Sequence, residues 1–455
     1  MAGGRTRPAM DRRTFLARTG GLAAGSLLAG GCSRLNPQAD GGGDKTLRLM
    51  ELYTVQSGPA AAGNQEWLRR IVQQFQEENA GWKVRLEGFQ WDQIDQRAIL
   101  DLRAGVAHDV VFSSPQLMAK HAAAGTFADL TPFLDRWDDK EMADFTWSPV
   151  WKSASFGGQQ LGVPVGVHTR GVAFRRDMFE RAGLDPDAQF TSPDELVDAA
   201  AELTEGDVWG LGVYLGPERA TIELAYAPLV WHFGGDFYDP KAKKAVLVGD
   251  ASLRAVGWLS DLVHKHKVAA PFSYAPQVTY DDLGLNNFLN GKAAQSFGFG
   301  SYWIEPLEDK GMISRCFPPA AGCEPGDAGM MVVPTRPKAQ FTNAWLLSIH
   351  RLSKKREMAW KLIQLCLRPE NLLDFPDAGL PARLSAWESA DFGSDFYRTW
   401  FEAARSGRPM PPTPYYPELA DTVAAALQEV LNKGADAEQT MARFEREWND
   451  KYGGR

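Results

Sequence analysis

Patterned sequence begins at Thr46. "TLRLMELYT" (Thr46–Thr54) is a near-continuous apolar run with the length and composition of a buried strand. The period then changes: "NQEWLRRIVQQFQEENA" sets Trp67, Ile71 and Phe75 four residues apart, on one face of a helix. "KVRLEGF" predicts a strand, "WDQIDQRAILDLRAG" a helix stopped at Gly105, and "DVVFSS" a third strand. Strands alternating with helices predict an α/β fold built on a mostly parallel sheet. "GTFADLTPFLDRW" adds a turn and a short helix.

"GGQQLGVPVGVHTRGVAFRRDMFERAGL" (Gly157–Leu184) breaks the alternation. It is a long, β-leaning run with a proline near its centre, and it opens into a helix at "RRDMFERAGL". An extended crossing of this kind suits a hinge between two lobes. "TSPDELVDAAAELTE" predicts a helix capped by Ser192, with Pro193 in its first turn and Glu195 placed as in a capping box. "WGLGVYL" follows as a strand. "DASLRAVGWLSDLVHKHKV" and "YDDLGLNNFLNGK" predict helices, and "AAQSFGFGSYW" the strand after them. "NAWLLSIHRLSKKREMAWKLIQLCL" runs strand, turn, helix. The proline-rich "GRPMPPTPYYP" reads as a stiff connector, and two helices separated at Gly434 close the chain. The order is α/β lobe, crossing, second α/β lobe, with later segments returning.

Ahead of Thr46 lies a different kind of sequence. Arg5, Arg7, Arg12 and Arg13 precede a short, glycine-diluted apolar stretch that stops at Cys32. Its core, Leu22–Ala29, falls far short of the about 20 apolar residues that span a bilayer. Basic residues, an apolar stretch and then small residues give the layout of a cleavable export signal. Arg12-Arg13 before Thr14-Phe15-Leu16 resembles a twin-arginine signal, and Ala29-Gly30-Gly31-Cys32 resembles a lipobox in which Cys32 is lipidated. On this reading residues 1–31 are the signal, and residues 32–45, small, polar and glycine-rich, are a flexible tether.

Export alters the charge. The whole chain carries 49 Lys+Arg against 57 Asp+Glu, and residues 1–31 hold five Arg and one Asp. The mature 424 residues therefore carry 44 and 56, a net charge of −12. That balance argues against nucleic acid as a partner and leaves a lipid on Cys32 as the link to the membrane. Of the other cysteines, Cys316 and Cys323 flank "FPPAAG" and can close a small disulfide loop in an oxidising compartment, whereas Cys366 sits on the predicted buried face of a helix. No G-x-S-x-G, H-E-x-x-H or P-loop occurs, and "GFGSYW" holds only the first two glycines of a dinucleotide motif. His264 and His266, two apart on a helix, point to different faces and do not share a metal. Asp138-Asp139 and Asp281-Asp282 stand near helix starts, where carboxylates favour the dipole. Paired glycosidase carboxylates can come from anywhere in a sequence, and nothing marks a pair here. No cofactor is implied.

The aromatic content points elsewhere. Fifteen tryptophans is a large number for this length, and Trp91, Trp231, Trp303 and Trp345 fall in loops or at strand ends. A sugar ring packs its C–H face on an indole while its hydroxyls need polar partners, so a sugar pocket combines aromatic plates with a polar rim.

The stretches "FQEENAGWKVRLEGFQW", "LRAGVAHDVVFSSP", "GTFADLTPFL", "LGVPVGVHTRGVAFRRDMFERAGL", "SPDELVDAAAELT", "VWHFGGDF", "FLNGKAAQSFGFGSYW", "NAWLLSIHRLSKKREMAWKLI" and "GLPARLS" together resemble the extracellular solute-binding proteins of bacterial ABC importers, in the sugar-binding group that includes maltose-binding protein. Ala80 departs from the proline often found at that place. The resemblance implies a two-lobed periplasmic-binding-protein-like fold: residues 46–168 and 345–408 in lobe 1, residues 169–342 and 411–455 in lobe 2, and the ligand between them. It implies a monomer that closes on a sugar or oligosaccharide and presents the closed shape to permease subunits, with no catalysis. It places Gln56, Ser114, Gln116, His168, Trp231, Trp303, Trp345 and Arg383 at the cleft, while Asp109 holds the strand or its turn. Trp303 takes the chief stacking role, Trp231 and Trp345 support it, and the polar residues bind hydroxyls; Tyr302 or Asn343 can stand in for a neighbour. A phosphodiester ligand would instead draw on Arg170, Arg219 and Arg383, and a polyamine on cleft carboxylates. Tyr415-Tyr416 as an iron site, a secreted glycoside hydrolase and a purely structural lipoprotein are the remaining readings.

Overall fold

The structure is a computed structural model, and it describes residues 44–56, 61–91, 93–313, 326–331, 340–375, 380–388 and 395–455. Cys32, Cys316 and Cys323 lie outside the described residues. Seven strands among the described residues share one sheet: β1 (Thr46–Glu51), β2 (Lys83–Gly88), β3 (Val110–Ser113), β4 (Val163–Arg175), β5 (Gln295–Gly300), β6 (Ala328–Met331) and β7 (Thr342–Ile349). β1 pairs with β2 and β3 in parallel. The other ladders in this sheet are antiparallel: β7 on β3, β7 on β4, and β5 and β6 on β4. The sheet is therefore mixed rather than mostly parallel. The reason lies in β7, which returns from residue 342 and inserts between β3 and β4, where it runs against both.

β4 is the long crossing. Its first half, Val163 to Thr169, pairs with β7. From Arg170 onward the same strand pairs with β5, and Val172 to Arg175 pair with β6 on the other edge. Residues 163–174 are buried throughout, which explains why the stretch reads as a nearly continuous apolar run.

Helices cover the sheet where their periodicity predicts. Trp67, Ile71 and Phe75 are the buried stripe of the Ala61–Glu78 helix. The Ile94–Ala104 helix ends on Gly105 at φ 71°, and the Tyr416–Lys433 helix on Gly434 at φ 63°, left-handed caps that glycine adopts without penalty. Ser192 Oγ accepts the Glu195 N–H, capping the Pro193–Leu203 helix. Asp138 likewise caps the Asp139–Thr146 helix by accepting from Glu141 N. Asp109 accepts from Arg48 N and from Ser353 Oγ, tying the approach to β3 to both neighbours. "WGLGVYL" makes only isolated parallel pairings, Trp209 with Ala293 and Gly212 with Ser296, rather than a ladder.

Two helical turns are wider than expected. Ile222–Tyr226 and Asp282–Asn286 are π-helical. In the first, Pro228 has no N–H to return to the Leu224 carbonyl, and Ala227 N bonds Ile222 O instead. Gly298 of β5, at φ 75°, comes so close to the Leu224 carbonyl that a Cβ there would sit 2.4 Å from its oxygen. Glycine is required at that approach.

One apolar cluster joins Leu49, Val111, Phe112, Val165 and Ile363 and continues to Phe299 and Trp303. A second gathers Val172, Tyr226, Leu259, Leu427 and Trp448. Cys366 is free and buried in the first, and burial pushes its thiol up to about 12. Among the described residues no helix is long and apolar enough to cross a membrane.

The edge strand β2 is pinned electrostatically. Arg48 donates to both oxygens of Glu87, at 2.7 and 2.8 Å, and with His108 holds that carboxyl at about 2. A depressed carboxylate stabilises the fold above its unfolded value, and the contribution fades as pH falls through its folded value. Stability should therefore drop by about 1–2 kcal/mol between about pH 4.5 and pH 2, after discounting for solvent screening. Urea titrations across that window should show the loss, and Glu87→Gln should flatten this part of the profile.

Candidate functional site

The carboxyl ends of parallel strands, where the chain turns away from the sheet, are where open α/β sheets collect ligands. Here those ends are held by buried carboxylates. After β1, Glu51 accepts from Tyr53 N at 2.6 Å, Thr54 N at 3.0 Å and Thr54 Oγ1, folding the turn that delivers Gln56. Gln56 Oε1 accepts from Asn64 Nδ2. After β3, Ser114 Oγ donates to Asp95 Oδ2 at 2.7 Å, and His121 Nε2 stands 2.7 Å from the other oxygen. Both strand ends are thus organised from within the fold.

Gln116, two residues on, reaches across. Its Nε2 lies 3.5 Å from Glu223 Oε1, and Glu223 also accepts from Tyr416 Oη at 3.0 Å. Glu223 belongs to the π-helical turn Ile222–Tyr226. Lys120 and Glu418, 3.6 Å apart, make a second polar bridge between the same two sides. Burial raises the Glu223 carboxyl above its ordinary value, opposed by the Arg170 charge, the Tyr416 hydroxyl and Arg219.

The crossing strand supplies the floor. His168 is paired with Asn343 across β4 and β7. Its ring meets Tyr302 edge-on at 6.0 Å and Trp345 at 6.3 Å. Tyr302 and Trp345 are each partly exposed, so both present aromatic surface. Arg170, 5% exposed, lies over Tyr302 at 4.9 Å and over Phe341 at 5.2 Å. Its Nη1 donates to Thr169 O, and its Nε has no hydrogen-bond partner. Gln116 Oε1 is likewise buried without one. Taking a guanidinium out of water costs several kcal/mol, and two cation–π contacts return about 0.5–2 kcal/mol each. The seam therefore holds an unmet donor and an unmet acceptor beside two aromatic faces.

Of the eight residues expected at a cleft, the structure joins His168 directly to Trp345, and Ser114 and Gln116 flank the same strand end. Trp303 is 3% exposed. It is enclosed by Tyr280, Phe299, Tyr302 and the backbone of Gly284, and its Nε1 donates to Asp281 at 2.8 Å. The accessible ring at this strand end is that of Tyr302. Trp231, 2% exposed, packs on Phe237 under Arg408, with its Nε1 toward Asp236. Arg383 is engaged elsewhere: Nε donates to Asp144 at 2.7 Å and Nη1 to Leu367 O. It lines a cavity of about 480 Å³ with Phe75, Glu78, Trp137, Lys361 and Arg368. There Arg368 grips both Glu78 oxygens at 2.7 Å. The residues that sequence reasoning did not place are Glu223 and Tyr416, whose meeting with Gln116 depends on a π-turn that local pattern does not signal. Among the described residues no cluster of three or more His, Cys, Asp or Glu is arranged to hold a metal.

Comparison with known proteins gives the family and the fold. The family model described as bacterial extracellular solute-binding protein matches residues 61–372. An ABC transporter solute-binding protein of Thermotoga lettingae, solved bound with alpha-D-tagatose, superposes with a TM-score of 0.75 at 23% identity, covering 90% of this chain and 99% of that one. At that identity the likeness is one of fold. A lipoprotein of Streptomyces antibioticus, itself uncharacterized, is 26% identical over 444 residues, 94% of this chain and 90% of the relative. A Sinorhizobium fredii protein that carries the name of an amino-acid ABC transporter periplasmic-binding protein is 22% identical over 388 residues, 83% of this chain and 82% of its own.

The two neighbouring rings should separate by mutation. Trp303→Ala removes a packed side chain and should cost about 3–5 kcal/mol of stability. Tyr302→Ala, at a partly exposed ring, should cost about 1 kcal/mol. Urea unfolding midpoints of the two variants check the order.

Proposed function

The chain belongs to the bacterial extracellular solute-binding protein family, and we propose that within it this chain is a lipid-anchored receptor for a carbohydrate. Members of the family bind solutes for ABC transporters and are not enzymes, so the glycoside hydrolase reading falls away. The observation that supports a sugar is the seam itself. Partly exposed Tyr302 and Trp345 flank His168, Arg170 with its unmet Nε lies over Tyr302, and Gln116 with its unmet Oε1 faces Glu223. A pyranose or furanose ring offers both an apolar face for the plates and hydroxyls for the polar atoms. The tagatose bound in the Thermotoga lettingae structure is of the same chemical class.

In this reading Gln56, Ser114, Gln116, His168 and Asn343 provide the polar rim, and Tyr302 and Trp345 the stacking faces. Trp303 stands behind Tyr302 as its support, Trp231 serves the lobe 2 core, and Arg383 braces the loop after residue 380. Ligand contacts made from both sides draw the lobes together about β4, and the closed shape is what permease subunits read. Cys32 carries the lipid that holds the receptor at the cell surface, with residues 32–45 as the tether, a reading supported by the lipoprotein name of the Streptomyces antibioticus relative. The name of the Sinorhizobium fredii relative favours a second reading, an amino-acid ligand in the same seam.

Thermal unfolding of the chain from Ser33 onward, screened against sugars, amino acids, polyamines and glycerophosphodiesters, decides between them. Ligand at about 100 times its Kd should stabilise the native state by about 2.7 kcal/mol. A shift with a sugar, weakened at least about tenfold in affinity by Tyr302→Ala or Trp345→Ala, is the expected result. A shift with an amino acid and none with any sugar would sink the carbohydrate reading.

The anchor has its own test. Cys32→Ser should move the exported protein from the membrane fraction to the soluble fraction, whereas retention on the membrane would exclude lipid on that residue.

A further inference from the structure

We infer that the solute is an acidic sugar, bound through an anionic oxygen of its carboxylate or phosphate on the Arg170 guanidinium. This rests on the carbohydrate reading above and narrows it. The argument starts from pairing. Other arginines have a carboxylate at hand: Arg175 with Asp177 at 2.7 Å, Arg219 with Asp421 at 3.6 Å, Arg383 with Asp144 at 2.7 Å and Arg408 with Asp236 at 2.6 Å. Arg170 is more buried than any of these, at 5% exposure, yet among the described residues it has no carboxylate within 4 Å.

Its surroundings answer the charge only at a distance, through Glu223. The rings of Tyr302 and Phe341 cover the guanidinium, Nη1 donates to the Thr169 carbonyl, and Nε donates to nothing. Glu223 is within electrostatic reach, but its Oε1 already accepts from Tyr416 Oη and faces Gln116 Nε2. Burial also disfavours the charged form of Glu223, so it opposes an incoming anion less than an ordinary carboxylate would. A neutral hydroxyl can accept from Nε, but it leaves the buried cation without a counter-charge in contact. A carboxylate or phosphate oxygen answers both, and charge-assisted bonds to arginine are the stronger kind.

Position adds the link to function. Arg170 is the first residue of β4 to pair with β5, and Thr169 the last to pair with β7. An anion on Arg170 therefore binds where β4 changes partners, two residues along the same strand from His168. The same oxyanion chemistry can come from a uronic acid or from a sugar phosphate, and carboxylate and phosphate arms of one experiment separate them.

The experiment is titration calorimetry on the chain from Ser33 onward with matched pairs: galacturonate and galactose oligosaccharides, glucose 6-phosphate and glucose, and a glycerophosphodiester and glycerol. The acidic member of one pair should bind about 100-fold more tightly than its neutral match. Arg170→Met should erase that preference while leaving weak binding of the neutral sugar and an unchanged fold by circular dichroism. Arg170→Lys, which keeps the charge but not the fork of donors, should retain a reduced preference and serves if the methionine variant does not fold. Neutral and acidic members binding equally, or a preference that survives Arg170→Met, overturns the inference and leaves the carbohydrate receptor standing. Failure of every sugar, acidic and neutral, overturns both.

Discussion

A single strand carries the backbone obligations of both lobes. Each buried N–H and C=O in β4 must find a partner, and β4 finds them first in β7 and then in β5 and β6. Pulling the lobes apart would break ladders on both sides. Rotation about the exchange point between Thr169 and Arg170 would not, because that is where the partners already change. Side chains at that point, His168 and Arg170 among them, lie near the axis of any such rotation and so move least.

The rest of the site is brought to this axis by devices that are individually local. Glu51 folds the turn after β1, and Asp95 grips the residue after β3. Pro228 denies one helical bond and widens the turn that carries Glu223. Gly298 lets β5 come close to that turn, and the short turn Ser301–Trp303 ends β5 with the Tyr302 ring partly outward and the Trp303 ring inward. Two of the buried polar atoms without a hydrogen-bond partner, Arg170 Nε and Gln116 Oε1, are found where the segments converge.

Local pattern was a good guide wherever the determining forces are local. The helix stripe of Trp67, Ile71 and Phe75, the Ser192 cap and the stops at Gly105 and Gly434 all follow from spacing and from one residue's conformational freedom. The long crossing was visible because a strand buried on both faces reads as an uninterrupted apolar run. Strand direction was not visible, since it depends on β7 returning from residue 342 to a place beside β3. Nor was the choice between Tyr302 and Trp303, adjacent rings whose exposure is decided by the three-residue turn that holds them. The arginines show the same limit. Arg383 is neutralised by Asp144, which lies 239 positions away, while Arg170 has no carboxylate in contact among the described residues and only Glu223 within electrostatic reach. Sequence places a charge, and tertiary structure decides whether it is spent.

The polar bridges at the seam bear on how tightly a solute is held. Gln116 to Glu223 spans 3.5 Å and Lys120 to Glu418 spans 3.6 Å, lengths at which each contributes little. If the lobes open and close about β4 as proposed, bridges of that strength bias that balance only lightly. Apparent affinity is the intrinsic affinity scaled by the fraction already in the competent form. Substitutions at Lys120 or Glu418 can therefore retune the receptor's working concentration range without touching the solute, and selection can adjust capture to supply while the recognition surface stays as it is.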